Sequence, residues 1–530
     1  MDARPSWHAY WSDLTICAML DSAVVRFPGK DAIVAYRADR DGPVRLTYRE
    51  LGARVDRAAG SLRALGVGRG DVVGVQLPNW WEFVVAALAC ARLGAAVSPL
   101  MPIFRERELR MMLAQSEAKV LIVPAVFRGF DHAAMAQALR PTLPALRHVF
   151  VVDGDGPEAF DSLLTNRAVV AVPSGQAIGP DDMALLMFTS GTTGEPKGVM
   201  HTCKALVACT DSLANGFHLD AHDVLLCATP LGHMAGFAAL MLQALRLGAT
   251  LVLQDVWEGR LGVAIMQAEG VTHMVASTPF LADICDAVAG GMARPERLRT
   301  FLCGGAPIPP VLIERAAREV KLAVSSQYGC TETLSTALTE PERSSEKSAS
   351  TDGRTLPGVE IRITDDTGRA LPVGQTGRLK VRGAQMFVGY YKRPDLAAFD
   401  SEGWFDTGDL AYMDDEGYIR INGRTKDVLI RGGENIPVVE IENLLHRHPA
   451  VEAAAIVGYP DTRLGERACA FVVLRPGASL DLAAVQSYMD ECRVAKQYWP
   501  ERVEQIDRMP RTASGKVRKF ALKELLGKLG

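Results

Sequence analysis

The chain has little of what marks a metal-clasped, disulfide-framed, membrane-spanning or nucleic-acid-binding protein. Its ten cysteines are scattered and none forms a Cys-x-x-Cys pair. That argues against a zinc site or a disulfide frame and leaves reduced thiols as the plain reading. Neither sign of charge is in excess: the net formal charge is −4 over 530 residues, which gives no footprint for nucleic acid. Long apolar runs are missing too. The longest, Phe83-Val-Val-Ala-Ala-Leu-Ala-Cys-Ala91, is halted by Arg92; it is too short to span a bilayer and reads as a buried helix. The N-terminal Met1-Asp-Ala-Arg-Pro-Ser-Trp7 lacks the basic-then-apolar order of a signal peptide, and Leu525-Leu-Gly-Lys-Leu-Gly530 carries no recognised targeting tail. No repeat recurs at solenoid spacing. The remainder is ordinary for a soluble globular chain, 48% hydrophobic and 23% charged. A cytoplasmic protein of roughly two to four domains, without stable membrane association, is expected.

What is present is concentrated in one turn. Thr189-Ser-Gly-Thr-Thr-Gly-Glu-Pro-Lys197-Gly198 follows an apolar run, residues 183–188, that reads as a buried strand. Glycines bring backbone N–H groups close to a ligand. Hydroxyls and a lysine add donors and charge, the chemistry that holds a chain of phosphates. The turn is not a Walker A loop, because Lys197 precedes Gly198 rather than Ser or Thr and the glycine spacing differs. A nucleoside triphosphate outside the P-loop class is the expectation. The bland reading, a tight loop only, loses ground because other motifs accompany it.

Strand-like runs alternate with helical ones. Val72-Val-Gly-Val-Gln-Leu77 precedes a helix over 81–92, Lys119-Val-Leu-Ile-Val123 precedes a helix-rich stretch, and 224–227 and 250–253 flank an apolar helix. This is the rhythm of α/β architecture with largely parallel sheets. The polar stretch 340–350 breaks the pattern. After it, 359–363, 377–381 and 418–421 alternate at period two, as half-exposed antiparallel strands do. A β-rich subdomain over about 355–425 follows, then a small α+β domain over 426–530, with strands at 453–457 and 468–474 and helices near 438–448 and 481–493.

Three further motifs carry chemistry. Tyr328-Gly-Cys-Thr-Glu332 follows a strand expected over 320–325, where α/β folds bind ligands. Trp404-Phe-Asp-Thr-Gly-Asp409 sets carboxylates beside a glycine, and Pro510-Arg-Thr-Ala-Ser-Gly-Lys516 ends in a lysine on a turn. From about Leu46 to Phe520, the motifs together resemble, in order and spacing, the adenylate-forming superfamily of acyl-CoA synthetases, peptide-synthetase adenylation domains and luciferases.

The resemblance implies a large N-terminal domain, residues 1–425, of two stacked α/β sheet subdomains plus the β-rich one, and a mobile C-terminal domain hinged at Lys426. It implies that Thr189, Ser190, Gly191, Thr192, Thr193, Gly194 and Lys197 gather the β- and γ-phosphates. Gly304, Gly305, Ala306, Pro307, Gln327, Tyr328 and Gly329 would form the adenine slot, with the Tyr328 ring on the base. Thr331 would meet the α-phosphate, Glu332 with Thr189 would hold Mg²⁺, Asp409 would accept both ribose hydroxyls, and Arg424 would reach the ribose and phosphates. Lys516 would bridge the attacking carboxylate and the α-phosphate. Gly432, Gly433, Glu434 and Asn435 would line the thiol tunnel of coenzyme A. Gly377-Arg378-Leu379 departs from the family's Gly-Glu-Leu, and Cys330 stands where a small or hydroxyl residue is usual.

The implied reaction is ATP-dependent ligation of a carboxylic acid to coenzyme A through an acyl-adenylate, releasing pyrophosphate and then AMP. His233, Met234, Ala235, Gly236, Phe237, Ser277 and Cys330 would line the acyl pocket. They offer no carboxylate for a substrate ammonium and no base for a second carboxylate. His233 reads as a gate between acyl pocket and thiol channel, against the alternative of a packing histidine. His201 and the Trp80-Trp81 pair read as structural. The closest subgroup resembles cyclohexanecarboxylate- and medium-chain acyl-CoA ligases, so an apolar alicyclic or medium-chain acid is expected. Aryl acids such as benzoate, and a stand-alone enzyme loading a carrier protein, stay open; a luciferase-like oxidase and a non-catalytic nucleotide sensor are weaker. A homodimer, and an acetyltransferase and deacetylase acting on Lys516, are further expected partners.

Overall fold

The computed structural model describes residues 6–165, 174–190, 196–305, 308–396, 398–425, 429–431, 434–436, 438–461, 464–512 and 515–529. Two large sheets dominate. In the nine-stranded sheet, the strands Asp31–Tyr36, Thr250–Gln254, Val224–Cys227, His273–Ala276, Thr300–Gly304 and Ala323–Cys330 lie side by side and parallel. Leu334–Leu338 turns back antiparallel and pairs with the edge strand Arg354–Thr355, and Val44–Thr47 is antiparallel at the other edge. In the seven-stranded sheet, Met183–Ser190, Ala96–Pro99, Val72–Val75, Val120–Pro124 and His148–Val152 run parallel. Pro196–Thr202 returns antiparallel beside Met183–Ser190.

The sequence dictates this burial pattern. Val72–Val75, Val120–Pro124 and Thr250–Gln254 are buried along their whole length, as parallel strands covered on both faces must be. Gly377–Gly383 instead alternates buried and half-buried residues in a four-stranded antiparallel sheet with Val359–Thr364, Phe405–Met413 and Ile419–Arg424. Helix Trp81–Arg92, packed from end to end, buries nearly every side chain. Helix Tyr48–Ala64 opens with a capping box: Glu50 N–H donates to Thr47 Oγ1, and Thr47 N–H to the Glu50 carboxylate.

The C-terminal part builds a separate sheet around the hairpin Val451–Asp461 and Gly465–Leu474. Helices Val438–Arg447, Leu482–Glu491 and Lys519–Lys528 cover it, with two small apolar clusters of their own. The ten cysteines are unpaired and eight are buried. Among the described residues, no helix is long and apolar enough to cross a membrane.

One local expectation needs correction. Residues 320–322 are not strand. Val320 closes a helical stretch, Lys321 stops it in the left-handed region at φ 59°, and the strand starts at Ala323, so that Tyr328 lies inside it. The apolar helix expected between Val224–Cys227 and Thr250–Gln254 is present, with Phe237–Leu242 wound as π-helix between α-helical ends. Such wide turns occur mostly at functional sites.

Candidate active site

The two ends of the phosphate-loop motif lie on adjacent antiparallel strands. Thr189 and Ser190 end one strand, and Lys197 stands opposite Thr189 on the next. Gly191, Thr192, Thr193 and Gly194 lie outside the described residues. Gly198 is closely packed: a Cβ there would meet Leu186 at 3.0 Å and Tyr391 Cβ at 3.3 Å, so these neighbours would have to shift. The Gly198 carbonyl accepts from Tyr391 N–H at 2.7 Å. The neighbouring Tyr390 ring lies 5.2 Å from Lys197 Nζ, and its hydroxyl donates to Glu332 Oε1 at 3.0 Å. Tyr390 thus joins the lysine and the glutamate. The sequence reading missed it, since only the pairing of Gly389–Tyr390 with Val199 and Met200 brings it there.

Thr331 and Glu332 occupy a tight turn between Ala323–Cys330 and Leu334–Leu338. Gly329 permits the turn: a Cβ would stand 2.0 Å from the Leu334 carbonyl oxygen. Leu334 itself is in the left-handed region at φ 53°. The Thr331 carbonyl is held by His201 Nε2 at 2.7 Å. Burial pushes the His201 imidazole down to about 4, so it is neutral and donates from Nε2. This gives His201 the structural part expected of it.

Gly304 and Gln327 are paired across adjacent strands, and a Cβ on Gly304 would meet the Gln327 carbonyl at 2.8 Å. Ala306 and Pro307 lie outside the described residues. Asp409 is buried between two donors, Tyr328 OH on Oδ2 at 2.5 Å and Arg424 Nε on Oδ1 at 2.8 Å. Burial and this carboxylate raise the Tyr328 phenol well above its ordinary value, so it stays a donor. The adenine-slot tyrosine and the ribose carboxylate of the sequence reading are therefore in direct contact.

Lys516 comes from the C-terminal sheet's side of the molecule, on a turn tied by Thr512 N–H to Lys516 O at 2.7 Å and Lys516 N–H to Thr512 Oγ1 at 3.0 Å. The preceding Gly515 has φ 86°, and a Cβ there would strike Ser277 Oγ at 2.3 Å. This close approach docks the turn on the start of helix Thr278–Ala289. A Cβ on Gly305 would lie 3.7 Å from Lys516 Cε. Burial, and then the Arg424 charge, lower the Lys516 ammonium; Cys330, Asp409 and Glu332 act the other way. Burial, with Lys516's charge behind it, pushes His233 down to about 4.

His233 Nδ1 accepts from Ala235 N–H at 3.2 Å and caps the helix that starts at Met234. Gly236 is obligatory there, since a Cβ would stand 2.3 Å from the Pro230 carbonyl. Met234 and Phe237 are buried. Ser277 Oγ is buried with no hydrogen-bond partner among the described residues. Burial raises the Cys330 thiol to about 12, so it is not a thiolate. Glu434 and Asn435 open a strand paired with Leu429–Arg431; Gly432, Gly433 and the Lys426 hinge lie outside the described residues. Among the described residues, no three His, Cys, Asp or Glu side chains gather around a metal-sized space.

A threonine and a lysine facing each other at the ends of paired strands, a carboxylate beneath a buried tyrosine, and a lysine on a C-terminal turn fit the class of adenylate-forming enzymes. The AMP-binding enzyme family matches residues 20–391, and its C-terminal domain family matches residues 440–516. The chain belongs to this family. It is 36% identical over 520 residues to the medium-chain fatty-acid–CoA ligase of Escherichia coli, covering 97% of this chain and 91% of that protein. It is 36% identical over 536 residues to a salicyl-AMP ligase / salicyl-S-ArCP synthetase of Mycobacterium tuberculosis, covering 99% and 94%. The structure superposes on ATP-bound MatB from Rhodopseudomonas palustris with a TM-score of 0.87 at 27% identity, covering 97% of this chain and all of that one (100%).

Proposed function

We propose that this enzyme is an ATP-dependent carboxylic acid–coenzyme A ligase working in two steps at one site. In the first, a carboxylate oxygen attacks the α-phosphorus of ATP, the bond to the β-phosphate oxygen breaks, and pyrophosphate leaves. In the second, the coenzyme A sulfur attacks the acyl carbon, the bond to AMP breaks, and the thiol proton passes to solvent. The observation that carries this reading is the position of Lys516 beside Gly305, in the electrostatic reach of Arg424, Asp409 and Glu332. There its charge offsets the repulsion between an anionic acid and an anionic phosphate.

The other site residues take their parts around it. Thr189, Ser190, Gly191, Thr192, Thr193, Gly194 and Lys197 hold the β- and γ-phosphates. Gly304, Gly305, Ala306, Pro307, Gln327, Tyr328 and Gly329 form the adenine slot. Thr331 meets the α-phosphate, and Asp409 takes the ribose, with Arg424 beside it. His233 stands between acid and thiol. Glu332 and the Thr189 hydroxyl are hard oxygen donors of the kind that would hold Mg²⁺, which takes few protein ligands plus phosphate and water. When bound, that ion neutralises charge on the phosphate oxygens. For the second step, the C-terminal unit, residues 426–530, turns about Lys426. This withdraws Lys516 and brings up Gly432, Gly433, Glu434 and Asn435 to meet coenzyme A. The enzyme works in the cytoplasm, its homodimer is the expected assembly, and acetylation of Lys516 would remove the charge and silence it.

The apolar lining of Met234, Ala235, Gly236 and Phe237, together with the medium-chain relative, supports an alicyclic or medium-chain acid. The salicyl-AMP relative supports a second reading, an aryl acid passed to coenzyme A or to a carrier protein. The two-step assignment is tested with Lys516→Ala. Acid-dependent exchange of pyrophosphate into ATP should fall by about 10²–10³, while transfer from a supplied acyl-adenylate to coenzyme A is retained. Equal loss of both steps would reject the assignment of Lys516 to the first.

A further inference from the structure

Asn79 follows strand Val72–Val75 of the seven-stranded sheet and is almost wholly buried. Its amide reaches across to the nine-stranded sheet. The two Nδ2 hydrogens are shared among the carbonyls of Cys227 at 3.0 Å, Thr229 at 3.1 Å and Gln254 at 3.1 Å, and Oδ1 accepts from Leu231 N–H at 2.8 Å. One side chain thus fastens the whole of segment 227–231, which carries the chain from strand Val224–Cys227 to His233. Two residues later, His233 N–H donates to Pro230 O at 2.9 Å. The same segment is tied from the opposite side by Thr229 Oγ1, which donates to Val275 O at 2.8 Å.

A second amide from the same stretch holds the facing loop. Gln76 Nε2 donates to Met101 O at 3.2 Å and Phe104 O at 3.0 Å. Met101 in turn fills the space beside Gly232, where a Cβ would meet Met101 Cγ at 3.0 Å and Met101 backbone at 3.3 Å. The segment leading to His233 is therefore bounded by residues that two buried amides fix in place. A buried amide with every polar atom satisfied is costly to disturb, and it specifies one loop geometry rather than many.

We propose that Asn79 is the positioning residue for His233: it sets the loop that places this imidazole at the acyl side of the site. This rests on the reading of His233 as the wall between acid and thiol. Asn79 touches no substrate; it acts through the 227–231 backbone. A scaffold residue of purely structural effect would change stability or the active fraction while leaving both Michaelis constants alone. A positioning residue should change acid binding selectively.

The test is steady-state kinetics of the full chain with octanoate, cyclohexanecarboxylate and benzoate as probe acids, using the one turned over fastest. Asn79→Ala should raise KM for the acid about tenfold and leave KM for ATP within about twofold. His233→Ala should raise acid KM too, and the double variant should be no worse than His233→Ala, since effects that pass through one residue do not add. An unchanged acid KM in Asn79→Ala, or additive effects in the double variant, overturns the proposal while leaving the His233 reading intact. An unchanged acid KM in His233→Ala overturns that reading itself. Should Asn79→Ala fail to fold, Thr229→Ala loosens the same segment from its other tie and must reproduce the acid-selective rise; an unchanged acid KM there overturns the proposal.

Discussion

At the scale of single residues, the site is a set of charges held by hydrogen-bond donors. Asp409 is the clearest case. It has lost water and gained Tyr328 OH and Arg424 Nε, so removing its side chain leaves the buried Tyr328 hydroxyl without its acceptor. Asp409→Ala should raise KM for ATP by about tenfold to a hundredfold with little change in KM for the acid, as initial rates at varied ATP would reveal. In the sequence this layer shows only as motifs, a lysine after glycine on a turn, a carboxylate after Thr-Gly and a glutamate after Cys-Thr, whose roles come from the family resemblance and not from the residues alone. Tyr390 and Asn79 were not legible. Nothing in Gly-Tyr-Tyr or Leu-Pro-Asn signals a role, which exists only because a short edge strand carries Tyr390 to Glu332 and because two sheets meet at Asn79.

At the scale of elements, close backbone approaches decide which turns can form. The hairpin that carries Thr331 and Glu332 closes only because Gly329 has no side chain. Gly329→Ala should cost more than about 3 kcal/mol or prevent folding, since the clash is with backbone and cannot be relieved by a rotamer change. Gly527→Ala is the matched control. It lies in helix Lys519–Lys528 with open space around it, and should be neutral or stabilising by about 0.5–1 kcal/mol. Thermal melts of the two variants check both. Strands buried on both faces, such as Val224–Cys227, were legible from their apolar runs. The start of Ala323–Cys330 was not, because the apolar Val320 and Leu322 flank a left-handed Lys321 that only the chain's packing reveals. The π-wound stretch Phe237–Leu242 was hidden for a related reason: all its residues are buried, so it has no polar face to betray a change of period.

At the scale of the molecule, burial makes the fold sensitive to acid. His132, His201 and His273 are nearly inaccessible to solvent, and burial pushes each down to about 4 from an ordinary 6.5. Below about pH 6.5 the unfolded chain takes up protons that the folded chain refuses, so stability falls as pH drops from about 6.5 toward 4. Glu82 works in the opposite sense. Burial raises its carboxyl to about 7, which adds stability at low pH that is lost as pH rises through 7. His233 and His446 are pushed down to about 4 in the same way, while burial raises Asp255, Asp283 and Asp352 in the sense of Glu82; between pH 5 and 7 the five histidines outweigh the carboxyls, and the melting temperature at constant ionic strength should be several degrees lower at pH 5 than at pH 7. Equal melting temperatures would mean that these histidines reach water in the folded chain. The order of the motifs was readable along the sequence, but the docking of Gly515 on Ser277, which sets Lys516 in the cleft, depends on a contact across more than two hundred residues of chain.

The central claim is that one site activates a carboxylic acid with ATP and hands it to a thiol. It is tested most directly by pyrophosphate release from Mg-ATP with acetate, hexanoate, octanoate, cyclohexanecarboxylate, benzoate and an amino acid, each with and without coenzyme A. The account predicts sustained turnover only when an apolar acid and coenzyme A are both present, with AMP and the acyl thioester formed in equal amounts. Turnover with the amino acid alone, or silence across the whole panel, would contradict it.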